Sequence, residues 1–345
     1  MSKEAVALAS KLGDFFRIYL SKQKCYSENT ITSYKYAFNL FFDFLSSEKG
    51  ILMEKASLNC FSNEYVAEYL EWLHTERCNS ASTCNQRLMA LRSFGKYIGT
   101  KDISQLSFYA EIKSVPMKKG KPKTVDFMSE AALKAVLEQP NITKATELRN
   151  QFFMILMYDT AARCQEMLDI RIKDFCFNEK APYLYLTGKG NKTRSVPIMN
   201  ATYKHLMEYL KKFHPDYLNH PDEPLFYIIT HGVRHKMSQD TVEKFLKRYG
   251  ESARLICPEV PDRVHPHQFR HTRAIHLYRS GMPLSILSEF LGHSSEETTR
   301  IYAYADTEMK RKAIEAATAD LPISEEEPIW DVNDEETLRK LAGLK

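Results

Sequence analysis

The chain has 345 residues, 43% hydrophobic and 27% charged, with a formal net charge of +4. That length suits two domains rather than one core, and the absence of a run of about 18 apolar residues excludes a membrane-spanning helix. The seven cysteines are scattered without a CxxC pair, which excludes a disulfide framework and fits reduced thiols in a cytoplasm.

Charge is unevenly spread. From Asp320 onward eight acids face three bases, so this tail carries −5 and residues 1–319 carry +9. A basic body with an acidic tail favours a polyanionic partner, nucleic acid first. A mildly basic solvated surface is the other reading of the same numbers.

In chain order, the start MSKEAVALASKLGDFF reads as a helix rather than a signal peptide. Apolar spacing predicts helices over 4–20, 30–47, 63–77 and 80–98, with Tyr34, Phe38, Phe41, Phe42 and Leu45 tracing one face of the second. Asn63 and Ser80 stand where helix N-caps belong. This predicts a small four-helix domain over 1–112, in which Arg87 and Arg92 of the fourth helix can face a phosphate backbone. Residues 113–125, KSVPMKKGKPKTV, hold five lysines and two prolines and read as a basic linker. Lys118, Lys119 and Lys121 within it can release counterions from a duplex, and the linker is expected to let the two domains close around DNA.

From Phe127 the pattern changes. Helices are predicted at 129–138, 146–159 and 164–169, then a hairpin in PYLYLTGKGNKTRSVPI, where Tyr183, Tyr185 and Thr187 alternate with Leu184 and Leu186. Further helices are predicted at 200–213, 238–253, 266–280, 283–291 and 295–304. The expected fold is mainly α, with one small β-hairpin in a domain over 126–310. A tail over 311–345 ends in DVNDEETLRKLAGLK, whose Leu338, Leu341 and Leu344 share a face. So short an amphipathic helix needs a groove to be stable.

Four stretches carry chemistry. In TAARCQEMLDIRIKDF Arg163 and Glu166 lie one turn apart beside an apolar run. Either they form an internal bridge, or the guanidinium is held for a phosphate or carboxylate. At the hairpin tip Lys189 has Lys192 and Arg194 nearby. A basic turn is usually just solvated, but a lysine held there can act as an acid toward a leaving oxygen. In HPHQFRHTRA a helix from Pro266 puts His267, Arg270 and His271 on one side, a crowding of cations that calls for an anion. In LGHSSEETTRIYAY Ser294 and Glu297 form a predicted capping box, so that His293 stands at a helix N-terminus, where anions bind. Tyr302 and Tyr304 follow, and tyrosines at such spacing are commonly packing residues.

Together, Arg163 with Glu166, Lys189, His267-x-x-Arg270, the Leu-Gly-His ending at His293, and a tyrosine nine residues later resemble the tyrosine recombinase (phage integrase) family. The resemblance spans nearly the whole chain. It implies an N-terminal core-binding domain and a catalytic domain that cuts and rejoins DNA through a 3′-phosphotyrosine, with no metal, nucleotide or other cofactor. By that resemblance Arg163 and Arg270 fork the non-bridging oxygens, His293 donates a further hydrogen bond, and Lys189 protonates the leaving 5′-oxygen. His267 helps take the proton of Tyr302, and Glu166 holds Arg163. The partners implied are double-stranded recombination sites and three further protomers, the tail helix docking in trans to make a tetramer on paired sites from free monomers or dimers. Accessory proteins are compatible with this, an added arm-binding domain is not expected, and the location implied is the bacterial cytoplasm and its nucleoid. Integration or excision of a mobile element is the role expected.

Three positions depart from the family pattern: Ala161-Ala162 where a glycine is common, Arg273 where an apolar or aromatic residue is usual, and Tyr304 so close to Tyr302. Competing readings are a type IB topoisomerase, a DNA-binding regulator without activity, and a metallohydrolase on His265, His267, His271 and His293. The regulator should have lost a site residue and has not. The metallohydrolase lacks carboxylates near those histidines.

Overall fold

The computed structural model describes residues 2–120, 125–178, 180–188, 190–293, 295–305, 311 and 339–340. Lys121, Lys189, Ser294 and the leucine stripe of the tail lie outside them. The chain forms two compact units, Met1–Lys123 and Thr124–Lys345. Each has its own apolar core.

In the first unit, α1 (Lys3–Asp14) runs on into a π-helical stretch, Phe15–Gln23. Then come α2 (Glu28–Lys49), α3 (Asn63–Thr75), α4 (Ala81–Lys101) and α5 (Leu106–Ser114). Phe15, Phe38, Phe41, Phe61 and Phe94 are fully or almost fully buried and form a continuous aromatic core. Of the stripe expected on α2, Phe38, Phe41 and Leu45 are buried and Tyr34 and Phe42 half-buried.

Two expectations are corrected here. The N-cap of α3 is Ser62, whose hydroxyl accepts from the Tyr65 N–H at 3.3 Å; Asn63 is the first helical residue and donates to Ser114 Oγ at 2.7 Å. Four helices become five, because α5 packs on α4 and occupies the start of the expected linker. Val115 is buried, and Lys118 is ion-paired to Glu71 at 2.5 Å.

The second unit is built from α6 (Glu130–Leu137), α7 (Ala145–Thr160), α8 (Cys164–Asp169), α9 (Asn200–Phe213), α10 (Gln239–Arg254), α11 (Pro266–Arg279), α12 (Leu284–Leu291) and α13 (Arg300–Ala305). Between α8 and α9 lies an antiparallel sheet of β1 (Phe175–Cys176), β2 (Tyr183–Thr187) and β3 (Thr193–Pro197). The β2–β3 register pairs Tyr183 with Pro197 and Thr187 with Thr193. Gly190 and Asn191 make the turn at φ +77° and +58°, the left-handed values a tight hairpin needs. The single hairpin expected is joined by a second, β4 (Tyr227–Thr230) and β5 (Val233–Lys236). Its signal, YIITHGVRHK, was legible as two short β-rich runs around His231-Gly232. The core centres on Phe152, Phe153, Tyr209 and Phe226, with ring centroids 4.8–5.7 Å apart.

Candidate active site

The turn after α7 sets the first group. Ala161 takes φ +48°, a left-handed conformation that costs a non-glycine residue roughly 1–2 kcal/mol. A glycine would take this conformation without that cost. The reversal presents Arg163 just before α8. Its backbone N–H donates to Glu166 Oε2 at 2.9 Å and its Nη1 to Oε1 at 2.7 Å. A second guanidinium, Arg194 on β3, donates to the same carboxylate at 3.1 and 2.8 Å. Arg194 also ties this cluster to α12 through Nε to the Phe290 carbonyl at 3.0 Å.

Burial pushes the Glu166 carboxyl up, but the hydrogen bond and charge of Arg194, then two hydrogen bonds from Arg163, outweigh it and hold it at about 2. Glu166 is therefore ionised, and it satisfies one of two guanidinium charges. The bridge to Glu166 and a guanidinium available to an anion are thus both realised: Arg163 remains one-third exposed while Arg194 is largely covered.

The hairpin approaches this cluster closely at Gly188, where an added Cβ would lie 2.8 Å from Glu166 Oε1. Gly188→Ala must therefore shift either the hairpin or a carboxylate fixed by two arginines. We expect it to fold but to lose catalytic rate at least tenfold with little change in DNA affinity, measured as single-turnover cleavage beside a gel-shift titration. A wild-type rate would show that the contact is slack.

On α11, Pro266 at the first helical position starts the helix with φ already set. Arg270 is 3% exposed. It donates to the Ala161 carbonyl at 2.7 Å and the Leu291 carbonyl at 2.6 Å, clamping the ends of α7 and α12 together. Burial, then the nearby charge of Arg163, lowers its pKa to about 10, so it stays cationic at neutral pH.

His293 is placed differently from the expectation. α12 ends on Gly292 at φ +62°, and the His293 N–H closes that end by donating to the Ser288 carbonyl at 3.0 Å. The following cap is Ser295, which accepts from Glu297 N–H at 3.3 Å and starts a 3₁₀ turn, Glu296–Thr298, ahead of α13. His293 is thus fixed by a helix C-terminus and not by the N-terminus that Ser294 and Glu297 suggested. Its Nδ1 pairs with the buried Thr299 hydroxyl at 2.9 Å. Burial, then Arg270, Arg163 and Arg194, lowers its pKa to about 4, so the ring is neutral at pH 7.

Tyr302 is 1% exposed and packs with Ala161, Ala274, Ile275, Leu287 and Leu291. Burial raises its pKa, while Arg270 and Arg163 pull it down. Its hydroxyl lies 3.0 Å from Nδ1 of His271. The contact expected for His267 thus goes to His271, one turn further along α11. His267 instead lines a cavity of about 490 Å³ with Arg163, Gln165, His265 and Arg263, and burial followed by Arg270 and Arg163 lowers its pKa.

Arg273 pairs with the buried Asp159 at 3.1 Å and stacks over Tyr158; its role is internal. Arg92 donates to the Lys113 and Val115 carbonyls at 2.9 and 2.5 Å, holding the end of α5. Arg87 stacks on Tyr36 with its guanidinium carbon 4.9 Å from the ring centroid. Lys119 and Lys192 are exposed. Among the described residues no group of three His, Cys, Asp or Glu side chains could hold a metal ion.

The phage integrase family model matches residues 126–309, and the N-terminal SAM-like domain model of phage integrases matches 14–100. The chain belongs to the phage integrase family. It is a tyrosine-type site-specific recombinase. Tyrosine recombinase XerC of Staphylococcus epidermidis is 26% identical over 88% of this chain and 95% of its own. In fold, the chain is similar to the Tn1549 transposon integrase in complex with transposon right end DNA, at TM-score 0.66 and 16% identity over 89% and 98% of the two chains. It is also similar to XerH bound to palindromic difH, at TM-score 0.63 and 23% identity over 84% and 79%.

Within this recombinase, the sequence named Arg194 and His271 but gave neither of them its partner. Arg194 had a signal, since it shares the inward face of β3 with buried Val196, and an inward arginine needs a buried acid. His271 was one of three basic side chains on a face, and periodicity alone does not say which of them meets Tyr302.

Proposed function

We propose that this recombinase cuts and rejoins duplex DNA at specific sites, with Tyr302 as the nucleophile that forms a 3′-phosphotyrosine. The observation that carries the reading is one tyrosine hydroxyl buried within the field of Arg163 and Arg270, beside a loop that fixes His293. A phosphoryl transition state gathers negative charge on its non-bridging oxygens, and preorganised cations stabilise it most. Arg163 and Arg270 supply that charge, Arg194 and Glu166 hold Arg163 in register, and neutral His293 has a donor to offer. His267 lines the cavity beside Arg163 and belongs to the phosphate side. Lys189, which follows Gly188 in the sequence, serves as the acid for the leaving 5′-oxygen. Exposed Lys119 and Lys192 are available to backbone phosphates, whereas Arg87 and Arg92 are engaged internally and contribute less.

Assembly of four protomers on paired sites, with the tail helix exchanged between them, is part of the same proposal. So is a role in integrating or excising a mobile element. The test is a pool of nicked duplexes incubated with the protein and denatured in detergent. A covalent adduct should form, leaving a free 5′-hydroxyl that a polynucleotide kinase labels. A 5′-linked adduct, or none on any duplex, would overturn the reading. Relaxation of supercoils without exchange between two duplexes would move the protein to the topoisomerase class.

A further inference from the structure

We infer that His271 is a catalytic residue of this recombinase, accepting the proton of the Tyr302 hydroxyl as that oxygen attacks the phosphorus. The inference rests on the phosphotyrosine reading above. Its geometric basis is the 3.0 Å contact from Tyr302 Oη to His271 Nδ1, with ring centroids 5.7 Å apart. A general base must stand within hydrogen-bond reach of the proton it takes. For Nδ1 to accept, the imidazole must be neutral with its proton on Nε2.

The surroundings keep it so. Burial comes first, then His267 and Arg270 on its own helix and His265 at the helix start, which together lower its pKa to about 4 against the opposing pull of Asp126. Tyr302 faces it from α13, and His293 is close enough to feel its charge. The resting site thus discourages proton transfer. A bound DNA phosphate adds negative charge beside Arg270, offsets its repulsion and raises the affinity of His271 for a proton. Phenolate is then generated only when a phosphodiester is present to receive it. In the step itself the Tyr302 Oη–phosphorus bond forms and the phosphorus–5′-oxygen bond breaks. The phenolic proton passes to His271 Nδ1, and the departing 5′-oxygen takes a proton from the acid on the other side.

The test compares wild type, His271→Ala and His271→Gln in single-turnover cleavage of a nicked duplex selected by the wild-type protein. Folding is checked by thermal melting and binding by gel shift. His271→Ala should lose at least 10²-fold at pH 7, within the range removal of a general base gives. Its rate should climb about tenfold per pH unit from pH 6 to 9, as expected when the phenol must ionise without help, while wild type stays nearly flat. Added imidazole should restore cleavage at least tenfold, and a substrate with a 5′-bridging sulfur, whose leaving group needs no acid, should not. His271→Gln keeps an acceptor but no base, so it should be as slow as His271→Ala; this covers the case in which the alanine variant fails to fold. Wild-type cleavage by either variant would overturn the inference, as would rescue by the sulfur substrate without rescue by imidazole. A wild-type protein that forms no adduct in these reactions would instead defeat the recombination chemistry itself.

Discussion

Tyr302→Phe is expected to abolish covalent adduct formation while leaving DNA affinity within a few-fold of wild type. The ring packs among Ala161, Ala274, Ile275, Leu287 and Leu291, and phenylalanine fills the same space. What is lost is one hydroxyl and its hydrogen bond to His271, a loss of about 1 kcal/mol in stability. Tyr304→Phe is expected to cleave normally, because the nine-residue spacing from His293 singles out Tyr302. The measurement is a denaturing gel of a nicked duplex with each variant. An adduct with Tyr302→Phe, or its loss only with Tyr304→Phe, would transfer the nucleophile to Tyr304.

Arg163→Ala and Arg270→Ala are each expected to lower single-turnover cleavage by roughly 10²–10³ or more, the usual cost of one preorganised donor to a developing oxyanion. Affinity for DNA should fall far less, because backbone contacts elsewhere carry binding. The two variants should differ in stability. Arg163 is partly exposed and rests on Glu166, so its removal still leaves that carboxylate paired with Arg194. Removing Arg270 strips the buried carbonyls of Ala161 and Leu291 of their donor, at about 1–3 kcal/mol for each group left unsatisfied. Arg270→Lys keeps the charge but not the fork that spans α7 and α12, so it should recover stability more than rate. Thermal melting beside cleavage kinetics separates these effects. A parallel collapse of affinity and rate would make both arginines binding residues.

Much of this molecule was legible from the chain alone. Helix positions followed from apolar spacing, and the β2–β3 hairpin from strict alternation around GKGN, because both are local periodicities. The set Arg163, Glu166, Lys189, His267, Arg270, His293 and Tyr302 was nominated by the family resemblance that its order and spacing carry, not by any single motif. What spacing cannot carry is which groups meet across elements. Asn63 yielded its cap to its neighbour Ser62 and turned to the distant Ser114, while α5 took part of the linker by packing on α4. His293 looked like a helix N-terminal residue because Ser294 and Glu297 fit a capping pattern. The chain there instead closes α12 and passes through a 3₁₀ turn. Arg273, which the sequence left without a role, gained one only when α11 packed on α7 and brought it to Asp159. Likewise the choice of His271 over His267 beside Tyr302, and of Arg194 as the second arginine on Glu166, depends on how α13 and β3 approach α11 and α8. Local sequence determined the elements and the inventory of charged groups. Apart from the local Arg163–Glu166 bridge, tertiary packing decided their pairing, because hydrogen bonds of 2.7–3.1 Å between segments far apart in the chain are set by how those segments stack, not by the periodicity of either.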